Sequence, residues 1–102
     1  MKFNIPKRFT LGGVEHKVIK QTIVGDNADF GEFSCEGKIR IAELVGGSNQ
    51  VSESKQLQTF FHEFTHAILF TMRKDDLYQD ESFVNTFSSF LCEAINSMED
   101  CL

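Results

Sequence analysis

Apolar residues in the second half of the chain recur at helical intervals, whereas in the first half they come in short runs broken by glycine. From Ser52 or Ser54, either of which can cap a helix, to about Arg73, the residues Leu57, Phe60, Phe61, Phe64, Ile68 and Met72 return every three or four positions. That spacing predicts a helix whose stripe makes the main core. His62 and His66 fall roughly opposite the stripe, flanked by Leu69 and Phe70, so the helix carries apolar material on more than one side and is expected to be central. A polar break follows at Lys74-Asp75-Asp76-Leu77-Tyr78-Gln79. Beyond it Phe83, Val84, Phe87, Phe90, Leu91, Ala94, Ile95 and Met98 predict a second amphipathic helix. So short a break makes the two helices antiparallel neighbours.

The character of the chain changes near Gly46-Gly47-Ser48-Asn49. Before that point Val14, Val18, Ile19, Ile23 and Val24, then Phe30 and Phe33, then Ile39 and Ile41 are separated by Gly12-Gly13, Gly25-Asp26-Asn27 and Glu36-Gly37. Three or four antiparallel strands are expected there. Lys38-Ile39-Arg40-Ile41-Ala42 alternates as a half-buried strand does, which places it beside the helical half, at the edge of a cleft. The fold class is therefore α+β: a small antiparallel sheet over residues 1–47, packed on two helices over 52–100, in one domain spanning 1–102.

Composition narrows the function classes. The chain has 102 residues, 41% of them hydrophobic, and a formal net charge of −5. Its ten basic residues are scattered, so no lysine and arginine cluster offers itself to phosphates, and no nucleic-acid partner is expected. No apolar run approaches the ~18 residues of a membrane span, and Met1 to Thr10 mixes charged and apolar residues unlike a signal peptide. Cys35, Cys92 and Cys101 form no C-x-x-C pair and leave an odd thiol, which suits a reducing compartment. The expectation is a cytoplasmic protein without a membrane partner.

The chemistry is concentrated at His62-Glu63-Phe64-Thr65-His66. H-E-x-x-H on a helix sets two imidazoles at i and i+4 on one face, as zinc requires, and places a carboxylate where it can act as general base. The alternative for such a helix is two solvated histidines. Zinc needs a third protein ligand, and a histidine six residues after His66 is ruled out because Met72 stands there. Glu81, in the first turn of the second helix, is long enough to reach across. Asp80 competes with it, but is better placed as the helix N-cap, and Glu93 projects from the solvated side.

The stretch Phe61 to Leu69, followed by Glu81-Ser82-Phe83-Val84 and Phe87-Ser88, resembles the short gluzincin-type metallopeptidase-like proteins of bacteriophages and prophages. These are similar in core layout to the ImmA/IrrE-type peptidases and, more remotely, to thermolysin. The resemblance covers roughly residues 57 to 98. It implies His62, His66 and Glu81 as ligands of Zn2+, Glu63 as catalytic base, and a peptide or protein substrate in a bacterial host's cytoplasm. Two features of larger relatives are missing: a downstream histidine that donates to the transition state, and a helix-turn-helix domain. His16 and Tyr78 are the residues able to replace the donor; each also reads plainly as a sheet-surface histidine and a core-rim tyrosine. An extended peptide is expected to add to an edge strand, for which Lys38 to Ala42 is the candidate. A different class of function uses the same ligands in a catalytically silent zinc-binding interaction module, although such a site has no need of Glu63.

Overall fold

The computed structural model describes residues 3–25 and 29–102. Its elements are β1 (Arg8–Leu11), β2 (Val14–Gln21), β3 (Gly31–Ser34), β4 (Lys38–Ala42), β5 (Leu44–Val45), β6 (Asn49–Gln50), α1 (Glu53–Thr71), α2 (Asp75–Tyr78) and α3 (Glu81–Ser97). The architecture is α+β, with a small sheet packed against C-terminal helices. Gly12 and Gly13 both take positive φ, 56° and 80°, which is the two-residue turn that matches the twist of a hairpin and joins β1 to β2.

The sheet is mixed, not wholly antiparallel as expected. Its order is β1-β2-β4-β3, with β2 parallel to β4 and the other pairs antiparallel. β4 lies between β2 and β3, so β3 sits on the far side of β4 from β2. Lys38 to Ala42 is consequently an interior strand, and the expectation that it forms the cleft edge is corrected. Its alternation reflects Ile39 and Ile41, both fully buried against the helices. The edge on that side is β3. Gly31 permits its close approach to α1, because a Cβ there would lie 2.5 Å from Thr59 Cγ2 and 2.8 Å from the Arg40 carbonyl oxygen. The Gly46 region is a small hairpin, β5 with β6, rather than a bare connection.

Ser52 caps α1, accepting from the Lys55 amide at 3.1 Å. The helix stops where Arg73 turns left-handed at φ 59°, and the Lys74 amide closes the end on the Leu69 carbonyl. The break after it holds a short helix, α2, so the helical half has three helices where two were expected. Phe60 and Phe61 are almost fully buried, each contributing ~1.5–3 kcal/mol by area. Phe3, Phe9 and Phe64 pack around them with ring centroids 5.0–6.4 Å apart. Burial reaches nearly round α1, since Thr59, Glu63, Thr65 and His66 are buried as well. Met72 is exposed and leaves the predicted stripe. In α3 the buried positions are Val84, Ser88 and Cys92, while Phe87, Phe90 and Met98 face solvent. No helix among the described residues is long and apolar enough to cross a membrane.

Candidate metal centre

The N-terminus of α3 is brought to the middle of α1, and the two helices make a close pair. Asp80 caps α3, its carboxylate accepting from the Phe83 amide at 3.1 Å. That hydrogen bond turns Asp80 away from the histidines and leaves its neighbour to face them. Glu81 Oε2 lies 3.2 Å from His62 Nε2, and Glu81 Oε1 lies 3.0 Å from His66 Nε2. Ligand atoms of His62, His66 and Glu81 all fall within 4.8 Å of one another. Two donor atoms about 2.0–2.1 Å from a tetrahedral zinc sit ~3.3 Å apart, so a set spanning 4.8 Å closes on one ion with small side-chain rotations. The donor set of two imidazoles and one carboxylate fits zinc, with room for a fourth ligand on the solvent side, where the Glu81 side chain is 60% exposed.

Each ring is held by the fold. The His62 and His66 centroids are 5.0 Å apart, one helical turn along α1, and the Tyr78 ring packs edge-on to His66 at 4.7 Å. Burial, and then the neighbouring His62, push His66 below the ordinary imidazole range; the Glu81 carboxylate opposes them. A neutral ring with a free Nε2 lone pair is the form that binds metal. His66 Nδ1 is buried and makes no full hydrogen bond, although the Tyr78 backbone lies near enough to favour a proton on the ring. A proton on Nδ1 would turn Nε2 to the cluster as a ligand.

Glu63 follows His62 but turns inward and is buried. Burial first, then the charges of Glu81, Glu32 and Asp29, push its carboxyl up to about 7. A carboxyl poised there can both take and return a proton near neutral pH. A cavity of about 370 Å3 opens beside His62 and Glu63, between α1, α3 and the start of β3, and polar Gln58, Asn85, Ser88 and Ser89 form much of its wall.

The other candidates separate clearly. Tyr78 stands beside the cluster, in contact with Phe33 and Phe70 as well as His66. Burial pushes its hydroxyl up, followed by the charges of Cys35, Glu63 and Glu81. His16 is not on the sheet surface. It is buried on the helix-facing side, stacked between Phe9 and Phe33, with Nδ1 3.0 Å from the Val14 carbonyl. Glu93 is exposed on α3 and takes no part in the cluster. Cys35 and Cys101 are exposed, Cys92 is buried, and all three are free thiols. Sequence reasoning passed over Ser88, a polar residue buried inside the α3 stripe on the cavity wall. Beyond its place in the Phe87-Ser88 pair, its signal was its spacing of four residues from both Val84 and Cys92.

No protein-family model matches the chain, and neither does any curated protein or solved structure. The His62-Glu63-x-x-His66 and Glu81 cluster is of the zincin type by its own geometry. Likeness to other sequences adds no tie to the phage peptidases or to the ImmA/IrrE type.

Proposed function

We propose that the chain is a zinc-dependent hydrolase, most simply a peptidase, with His62, His66 and Glu81 as metal ligands and Glu63 as general base. The observation that carries the reading is the convergence of three ligand atoms within 4.8 Å beside a buried carboxyl at about 7. Bound there, zinc would supply Lewis acidity, polarising a carbonyl and making water more acidic. Glu63 takes the proton from the attacking water and delivers it to the departing amine. Tyr78, whose ring packs edge-on to His66, is the candidate donor to the oxygen on which charge develops.

The substrate backbone is assigned to β3 in place of Lys38–Ala42. Among the described residues β3 pairs only with β4, so its outer edge can accept a peptide strand, and its first residue, Gly31, lies over Glu63. The cavity beside His62 then takes a substrate side chain, and its amides and hydroxyls suit a polar one.

Glu63→Gln in zinc-loaded protein is the test. With a mixed peptide library and mass-spectrometric readout, wild type is expected to cleave and the variant to lose at least ~10²–10⁴ in rate with zinc content unchanged. A wild type that binds one zinc per chain yet cleaves nothing overturns the hydrolase reading in favour of a silent zinc-binding module. Against that module stands Glu63, since a site of structure alone gains nothing from a buried carboxyl next to its first ligand.

A further inference from the structure

Two apolar stripes run along α3, and the fold covers one. Val84, Leu91, Cys92 and Ile95 turn toward the core. On the adjoining flank Phe83, Phe87, Phe90, Ala94 and Met98 follow at intervals of four, three, four and four residues, which keeps them on one side of the helix. Phe87 is 46% exposed, Phe90 66% and Met98 56%, and the rings of Phe83 and Phe87 stack 5.7 Å apart. A whole phenylalanine carries ~150–250 Å2, so Phe87 and Phe90 alone leave roughly 200 Å2 of ring in water, and the stripe entire roughly 350 Å2. Single exposed phenylalanines are ordinary; a continuous stripe of roughly 350 Å2 matches the largest apolar patch of a typical monomer, which is often a functional surface.

We propose that this stripe pairs with the same stripe of a second copy of the chain, antiparallel about a two-fold axis beside Phe90. Side-chain sizes select the direction. Antiparallel pairing sets Phe87 against Ala94 of the second copy, large against small, and Phe83 against the flexible Met98. Parallel pairing stacks all three phenylalanines on their copies and leaves a gap between the two Ala94 residues, whereas the antiparallel seam has that stacking only at Phe90. The rim favours a like partner over a charged one, because Thr86 and Ser97 flank the stripe and Glu93 is the single formal charge between Ser82 and Ser97. Antiparallel pairing places each Glu93 near Phe87 of the other copy and not near the other Glu93. It also opposes the helix dipoles. Two stripes of roughly 350 Å2 with their polar rims bury about 1,000 Å2 in all, the lower bound for a specific interface, so the dimer is reversible. The metal cluster and the polar cavity, which take Glu81, Asn85 and Ser89 from another flank of α3, stay open. The pairing stands whether or not the chain is a hydrolase.

Sedimentation equilibrium on the full chain, in reducing buffer from ~5 to ~500 µM, tests it. The mass is expected to rise from 11.6 kDa toward twice that value, and to rise further in high salt, since each copy carries a net charge of −5. Phe90→Glu should stay at 11.6 kDa with unchanged circular dichroism, because most of that ring is already in water. Should that variant fail to fold, Phe87→Gln gives the same reading. In a Cys35→Ser, Cys101→Ser background, oxidised Phe90→Cys is expected to cross-link the dimer. Phe83→Cys should not, since its two copies lie ~22 Å apart at 1.5 Å per residue. A wild type that remains monomeric throughout, or a dimer that survives Phe90→Glu, overturns the proposal; cross-linking through Phe83→Cys overturns the antiparallel arrangement.

Discussion

Replacing Glu63 by glutamine should stabilise the metal-free protein, and by an amount that depends on pH. The folded chain holds the Glu63 proton up to about 7, against an ordinary 4.5. Between those two values the unfolded chain binds fewer protons than the folded one, so stability falls as pH rises through the window and is level above it. At 1.36 kcal/mol for each pH unit of separation, the cost of ionising Glu63 above pH 7 reaches about 3 kcal/mol. A glutamine side chain keeps the shape and carries no charge at any pH. Wild type and Glu63→Gln should therefore match near pH 4 and diverge until the variant leads by about 3 kcal/mol at pH 8. In a domain of this size that is roughly 10–20 °C in Tm. Urea unfolding with chelator present, at pH 4.5, 6 and 8, reads the difference directly. His66 contributes the opposite slope, because its folded ring resists the proton that the unfolded ring takes below about 6.5. Both proteins share that contribution, so the comparison removes it. Zinc should shrink the gap, since a nearby dication favours the charged carboxylate. A difference that is flat with pH, or a wild type more stable than the variant at pH 8, would refute the argument that burial and neighbouring carboxylates hold Glu63 protonated.

Other substitutions separate site from scaffold. Tyr78→Phe keeps the ring against His66 and removes the hydroxyl; zinc content should hold while kcat drops ~10²-fold, and an unchanged kcat removes Tyr78 from the reaction. Arg73→Gly relieves a left-handed residue at the end of α1, and should raise stability by about 0.5–1 kcal/mol in urea titrations. Gly31→Ala forces a Cβ against Thr59 and the Arg40 backbone, and is expected to cost about 1–3 kcal/mol and to displace β3 from Glu63; a variant of wild-type stability would contradict the close packing of that strand.

The clustering of His62, His66 and Glu81 was far more legible than the sheet, for a physical reason. The i,i+4 spacing of His62 and His66 is enforced by the helix that contains them, so local sequence determines where both rings point. Glu81 was reachable by the same logic one helix later, and the choice against Asp80 rested on capping chemistry that the Phe83 amide makes concrete. Strand order has no such local determinant. The alternation of Lys38 to Ala42 reports that one face is buried, which holds for an edge and an interior strand alike, so it could not reveal that β4 lies between β2 and β3. β1 escaped notice because Phe9 and Leu11 are too brief a pattern, although the Gly12-Gly13 turn was its signal. In α3 the apolar positions span two adjoining flanks, and hydrophobicity alone does not say which flank meets α1. The fold buries Ser88 and Cys92 in preference to Phe87 and Phe90, small residues being what a close approach of α3 to α1 admits.

The most direct test of the central claim is zinc stoichiometry, by plasma mass spectrometry on protein prepared without added metal or an affinity tag and then dialysed against buffered zinc. Wild type should hold about one zinc per chain, with His62→Ala and Glu81→Ala both losing it while Asp80→Asn, which keeps a capping side chain, retains it. Wild type without zinc, or Glu81→Ala binding it as tightly as wild type, would contradict the assignment of the cluster as a metal centre.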